Sequence, residues 1–516
     1  MTQPVPALDS PPLPEAGQVA DHAMLCSIFE RQLQLMAHQL AAMQVNSATE
    51  RSAGTEGAGP GPSVRRADLR ESRLPLNDGQ RELWTLSQLS PVASCALNES
   101  FVLQIDGQLD VARLVSAAQT VVARHDAFRI RFNDDGLEQR LIADAGFSVR
   151  VCLADSVDDV VRREARLPFC LDSGPTIRAV LVQDDIGRHS LVVYAHHLVM
   201  DGWSAGTLVR ELCEEYDLQA TGADPLEQVP VPSYVEYLLS GEQQLDQQVA
   251  DRRWRYWLSQ HEGRRSAAID LPWDRDRAPV ASFEGQTVRR QFSAEVTEWL
   301  RGWAREHGVT PYAVLLALSA RVLGEIANQE EVVILLPAAG QAAHGVDVVG
   351  YCVQVLPVRL ERGTGQSLVH LARTATTKVR SGFSHAGISI SELAARCGWP
   401  RDRGRVSTID VMFNYSAYAP VARMGECSVI VKENPRSAVI YDLFFNFTEG
   451  VGGLEVQLSY RESLAERSTI DGWLTYLFGM LDACMERAAD PPADMRGLAS
   501  REEGDAEGLK KRTKGA

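Results

Sequence analysis

No run of apolar residues in the sequence approaches the roughly 20 needed to span a bilayer. The opening, MTQPVPALDSPPLPEAGQ, has neither the basic start nor the apolar core of a secretory signal. Both absences predict a cytoplasmic protein with no membrane partner. Positive charge is in deficit, with 52 Lys and Arg against 68 Asp and Glu, a net charge of −16. That balance excludes a general nucleic-acid or anionic-membrane binder, since either needs exposed cations. A local basic patch for a phosphate-bearing partner stays possible. The nine cysteines are scattered and form no CxxC pair, so no zinc or other metal site is expected and reduced thiols are the simplest reading. There is no GxSxG elbow, no P-loop and no dinucleotide glycine fingerprint. With no acyl-enzyme serine indicated, direct transfer is the simplest chemistry, and no cofactor bound by the protein itself is expected.

What is present is a long and ordinary globular composition. The chain has 516 residues, 45% hydrophobic and 23% charged, which predicts two or more core-forming units. Residues 1–45 read as a flexible, Pro-rich start followed by a helix. Phe29, Leu33, Met36, Leu40 and Met43 recur with 4-3-4-3 spacing on that helix, one apolar stripe. Such a stripe can pack on the body or dock a partner. Residues 46–71 read as a linker. From there helical and strand patterns alternate, giving two α/β halves, 72–250 and 251–498. In the first, ESFVLQIDG and HSLVVYA are strand-like and VARLVSAAQTVVARH is helical. In the second, PYAVLLALSARVLGEIA is helical, and EVVILLPA, STIDVMFNY, DLFFNFTE and LEVQLSY are strand-like. Residues 499–516 read as a charged, disordered tail.

The sharpest local feature is LVVYAHHLVMDGWSAG, residues 191–206. Neighbouring side chains on a strand point to opposite faces. His196 and His197 therefore cannot easily share a metal, and one is expected to face a cleft while the other faces the interior. A histidine satisfied by a backbone carbonyl is the plain alternative for each. Asp201 is placed to fold back and lock the turn, with an arginine as the expected partner. Gly202 permits close backbone approach or an unusual dihedral. An imidazole at the carboxyl end of such a strand suits general-base work near neutral pH.

HHLVMDG fits the HHxxxDG signature, and here the sequence resembles the condensation domains of nonribosomal peptide synthetases and their chloramphenicol-acetyltransferase-like relatives. LPLNDGQRELWTLSQL, with Gln80, Arg81 and Trp84, is similar to the family's opening helix. RHDAFRIRF is similar to RHExLRTxF, with Asp126, Phe128 and Ile130 as departures. LPFCLDSGPTIRAVLV, RYWLSQ, LPWDRDRAP and VGYCVQVLPVRLE follow in the family's order, so the resemblance covers about 72–490. SCALNES, GYCVQVLPVR and DLFFNFTEG look most like condensation domains placed after polyketide-type carrier proteins. Two departures bear on the acceptor. Gln354 stands where the family usually has Asn, and Gln341 where it usually has Arg.

The resemblance implies an α/β fold of two acetyltransferase-like lobes in a V, with the active-site tunnel between them. It implies a donor acyl group on the phosphopantetheine of an upstream acyl or peptidyl carrier protein. The acceptor would be held by a downstream carrier or be a free small molecule. By carry-over, His197 is catalytic and the Gly202 N–H serves the oxyanion. His196 supports. Asp201 is structural, paired with Arg124 or Arg129. Ser204 and Gln354 are expected on the acceptor side or in the tunnel. No carrier, adenylation or thioesterase domain is recognisable, which predicts a free-standing monomeric enzyme. Amide formation is the expected reaction, with ester-forming release onto a hydroxyl as the alternative. A coenzyme A-dependent acyltransferase, an epimerisation domain and an inactive recruitment module are further readings.

Overall fold

The computed structural model describes residues 73–489, apart from 154–155, 185–187, 223–225, 227–228, 244–246, 342–346, 418–421 and 451–452. The N-terminal apolar stripe, the linker over 46–71 and the tail from 499 lie outside these residues. In chain order the first half runs β1 (Arg73–Pro75), α1 (Asp78–Ser87), α2 (Pro91–Cys95), β2 (Asn98–Asp106), α3 (Val111–Arg124), β3 (Ile130–Phe132), β4 (Glu138–Leu141), β5 (Val149–Leu153), α4 (Val157–Ala165), β6 (Ile177–Gln183), β7 (His189–His196), α5 (Gly202–Thr221), α6 (Tyr234–Gln243) and α7 (Gln247–His261). The second runs β8 (Gly285–Gln291), α8 (Ala294–Glu306), α9 (Pro311–Ala327), β9 (Glu331–Ala339), β10 (Val353–Glu361), α10 (Leu368–Ser384), α11 (Ile390–Arg396), β11 (Val411–Ala417), β12 (Ala422–Met424), β13 (Cys427–Glu433), β14 (Leu443–Gly450), β15 (Gly453–Arg461) and α12 (Arg467–Ala489).

Two six-stranded sheets form the body, in the orders β12-β13-β2-β7-β6-β5 and β10-β9-β11-β14-β15-β8, beside a small sheet β1-β4-β3. The fold is mixed α/β. In the first large sheet only β5 and β6 pair in parallel. In the second, β11 runs parallel to both β9 and β14. All the described residues fall within one unit. A cut at residue 250 does not separate the sheets. Strands β12 and β13 come from the second half of the chain, yet β13 pairs antiparallel with β2, Glu433 opposite Phe101, and extends the first sheet.

The elements follow from their residues. Helix α9 starts on a Thr310 side chain that accepts from Ala313 N, with Pro311 at its first position. Its apolar positions are buried almost all round, and it stops at Asn328 in the left-handed region, φ 53°. Strand β7 is buried at every position. Its near-continuous apolar run is that of a central strand covered on both faces, with β2 on one side and β6 on the other. Among the described residues no single helix is long and apolar enough to cross a membrane.

Candidate active site

Strand β7 ends at His196, and the chain turns over 197–201 into helix α5. The turn is tied at both sides. The His196 N–H donates to Thr176 O (3.0 Å) and the His197 N–H to Leu97 O (2.8 Å), just ahead of β2. The two rings then part. His196 is fully buried, edge-on to Phe169. Its Nδ1 accepts from the Leu198 N–H (3.3 Å), and burial, with His197 and Arg178 nearby, pulls its pKa down to about 3. It is a neutral structural ring. His197 keeps 20% of its side chain exposed.

His197 Nδ1 lies 2.7 Å from Met200 O. A carbonyl only accepts, so Nδ1 carries the hydrogen and the neutral ring presents its lone pair at Nε2. The ring packs edge-on against Tyr351, with centroids 5.2 Å apart. Nε2 lies 3.8 Å from Glu99 Oε1 on β2. Arg436 in turn holds Glu99, one Nη2 reaching Oε1 at 3.0 Å and Oε2 at 3.2 Å. Burial pushes the Glu99 carboxyl up, but Arg436, joined by His197 when that ring carries a proton, outweighs it and holds it below its ordinary value.

Asp201 caps α5. Its Oδ1 accepts from Ser204 N (2.9 Å) and Ser204 Oγ (2.7 Å). Its Oδ2 accepts from Gln341 Nε2 (2.8 Å) and the Cys352 N–H (3.1 Å). The expected arginine partner is therefore corrected. Arg124 is taken by Glu211 (3.0 Å) and Val229 O (3.0 Å), and the buried Nε of Arg129 has no hydrogen-bond partner. The carboxylate is satisfied by neutral donors instead, the amide of Gln341 among them.

Ser204 is also corrected. It is fully buried, and its Oγ, besides meeting Asp201, accepts from the Gly350 N–H (3.0 Å). It pins the 347–352 loop to α5 and faces no open space. The same loop is clamped at Asp347, whose carboxylate accepts from Trp203 Nε1 (2.8 Å), Thr207 Oγ1 (2.8 Å) and Arg210 Nη2 (2.7 Å). Gly350 is required there, because a Cβ would come within 2.2 Å of the Tyr234 ring. This clamp delivers Tyr351 to His197. Gln354, at the start of β10, is half-buried, and its amide lies by Gly387 and Arg253.

Gly202 is the first residue of α5. Its φ is ordinary, so the expectation of an unusual dihedral does not hold. Its place is open: a Cβ there would meet nothing within 4 Å. The first-turn N–H groups of a helix lack intrahelical acceptors; that of Ser204 goes to Asp201, which leaves those of Gly202 and Trp203 as the donors at this end of α5, five and six residues on from His197. Glu99, Tyr351 and Arg436 were not singled out from the sequence. Glu99 could have been, had β2 been known to lie beside β7.

A family model described as the condensation domain matches residues 70–505. The chain is 27% identical over 429 residues to one of the plipastatin synthase subunits of Bacillus subtilis (strain 168), covering 82% of this chain and 12% of that protein. It is 27% identical over 449 residues to malpinin synthetase of Mortierella alpina, covering 82% of this chain and 6% of that protein. It thus spans a small part of the length of these synthases. The first condensation domain of the CDA synthetase superposes with a TM-score of 0.70 at 20% identity, covering 82% of this chain and 97% of that one. The X-domain in complex with OxyB from teicoplanin biosynthesis gives 0.70 at 21%, covering 85% and 97%. At those identities the likeness is one of fold.

Proposed function

This chain belongs to the condensation-domain family, and from that premise we propose that it transfers an acyl group from a carrier-protein phosphopantetheine thioester to an acceptor amine. Condensation domains are acyltransferases of two chloramphenicol-acetyltransferase-like lobes, and they act on substrates carried on phosphopantetheine. The observation that carries the reading is His197. Its Nδ1 is tied to Met200 O, its Nε2 is free to take a proton, and the amino end of α5, open at Gly202, follows it by five residues in the chain.

In this reading the neutral amine attacks the thioester carbonyl. One amine proton passes to Nε2 as the C–N bond forms. The oxyanion is met by backbone N–H at Gly202. The C–S bond then breaks, and Nε2 returns the proton to the departing sulfur, leaving a free thiol. Much of the rate comes from aligning two tethered substrates, so a modest base suffices. Asp201 and His196 hold the turn and touch no substrate. The donor partner is an upstream carrier, of the polyketide type by the likeness of SCALNES and DLFFNFTEG. The acceptor is carried by a second carrier or is a free small molecule.

The test is product formation from a panel of acyl-loaded carrier proteins with amine acceptors, read by mass spectrometry. His197→Ala is expected to lose about 10²- to 10⁴-fold in kcat while melting at the wild-type temperature, because the ring is partly exposed. Near-normal turnover by that variant overturns the assignment.

A further inference from the structure

One charged group at the site has no part in the chemistry above. Glu99 Oε1 faces His197 Nε2 at 3.8 Å, and both side chains are 20% exposed. The carboxylate is not there to fix the ring. Met200 O and Tyr351 already do that, and a carboxylate facing the lone pair of a neutral Nε2 is repulsive. Nor is it merely half of an ion pair. Arg436 meets both oxygens through a single nitrogen, and a carboxylate accepts up to about four hydrogen bonds. Oε1 keeps capacity on the side of His197.

Two acceptors 3.8 Å apart suit a group with two hydrogens on one atom. A nitrogen about 2.9 Å from each can donate one N–H to Nε2 and one to Oε1, leaving its lone pair free for attack. A hydroxyl has one hydrogen. If it donates to Nε2, its lone pairs face Glu99. The surrounding charge has the same bias. Tyr351, against His197, lies near Glu82 and Tyr441, and Tyr441 near Arg436. Glu82 and Asp201 by Tyr351 and Glu99 by His197 stand against the Arg436 guanidinium, so the surroundings favour a group that presents N–H hydrogens, here the neutral amine.

We propose that Glu99 is a specificity-determining residue of the acceptor site: its Oε1 and His197 Nε2 together accept two N–H hydrogens of a primary amine, selecting amine over alcohol. This rests on the reading of His197 given above. Arg436 keeps the carboxylate aimed and tempers its charge. A site that leaves a polar group unpaired rejects the analogue lacking the donor, whatever its size.

The test uses the full chain and a matched pair of probes, non-hydrolysable amide analogues of glycyl- and glycolyl-pantetheine, which differ only in NH2 against OH. Wild type is expected to bind the glycyl probe about tenfold tighter or more, by calorimetry. Glu99→Gln is expected to bring the two affinities within about threefold of each other. Arg436→Gln leaves the carboxylate untempered and is expected to widen the preference, the opposite direction. A purely structural ion pair would instead move both variants alike, lowering affinity for both probes with the ratio unchanged, and that overturns the proposal. Equal binding of the two probes by wild type overturns it as well. If wild type binds neither probe, the pantetheine-linked acceptor of the proposed function falls, and the proposal with it. Should Glu99→Gln melt well below wild type, Glu99→Asp replaces it. A shorter carboxylate that retains the full preference for NH2 at wild-type affinity counts against the stated geometry.

Discussion

His261 is a residue whose burial sets a pH dependence. It is 1% exposed, stacked on Trp257 and edge-on to Trp399, with Nε2 donating to Pro357 O at 3.1 Å. Burial pulls its pKa from 6.5 down to about 4, the Pro357 hydrogen bond opposing and Arg264, Arg359 and Lys378 adding to the fall. The unfolded chain therefore binds a proton between about pH 6.5 and 4 that the folded chain refuses. Stability from the neutral ring is complete above the unfolded value and declines as pH falls, by on the order of 3 kcal/mol across the span. Asp410 works the other way, since burial beside Asp442 raises it to about 7 and the folded state then takes up the extra proton. Wild type against variant cancels that contribution. His261→Gln keeps a donor for Pro357 O and removes the titration. Urea unfolding at several pH values is expected to show the variant losing less stability than wild type between about pH 7 and 5. Parallel curves would mean that His261 titrates normally in the fold. Glu99 is the residue-scale counterpart at the site, and its worth lies in partner selection.

Helix α5 depends on one side chain at its start. Asp201→Ala removes the cap, worth about 0.5–2 kcal/mol. It also strands the Gln341 amide and the Cys352 N–H, each costing about 1–3 kcal/mol when buried without an acceptor. Gln341→Leu removes one donor of four and should cost less. Thermal melts are expected to rank Asp201→Ala below Gln341→Leu and Gln341→Leu below wild type. A reversed order would place the weight on Gln341's long contact with Val348 O. The start of α5 shows what a sequence can and cannot give at this scale. The His-His pair at the end of a strand and the turn locked by Asp201 were legible, because alternation is a local rule; that Asp201 locks it by capping a helix was not read, although capping is local too. Helix α9, read over 311–327, has those bounds in the structure, because its cap, its apolar run and its stop are consecutive. The partner of Asp201 was not legible. Gln341 lies 140 residues away, and no local rule chooses between it and an arginine. Glu99 was missed for the same reason, because which strands lie side by side is decided by the whole chain.

The whole molecule is tied across its halves by β12 and β13. The segment ARMGECSVIVKE has a short strand pattern, but nothing in it says that it crosses to the sheet begun more than 300 residues earlier. Once it does, the first sheet is incomplete without the second half. Val429 and Met424 are fully buried, and they belong to the core of the first half. Arg436, three residues past β13, reaches Glu99 on β2. The two halves should therefore unfold together, although each has a core of its own. The chain offers a way to see this. Seven of the nine tryptophans, 254, 257, 273, 299, 303, 399 and 473, lie in or against the core of the second half. Tryptophan fluorescence reports mainly on that half, and far-ultraviolet circular dichroism reports on both. In wild type the two urea transitions are expected to coincide. Val429→Pro removes the backbone donor of a residue paired with Ile105 on one side and Ala422 on the other, where proline is not tolerated. It should peel the crossing strand from β2, lower the stability of the first half and separate the two curves, the circular-dichroism signal beginning to fall at lower urea than the fluorescence. Coincident curves in the variant would show that the halves are coupled through other contacts, such as the Asp201–Gln341 bond and the clamped 347–352 loop, and that the crossing strand is incidental to their cooperativity.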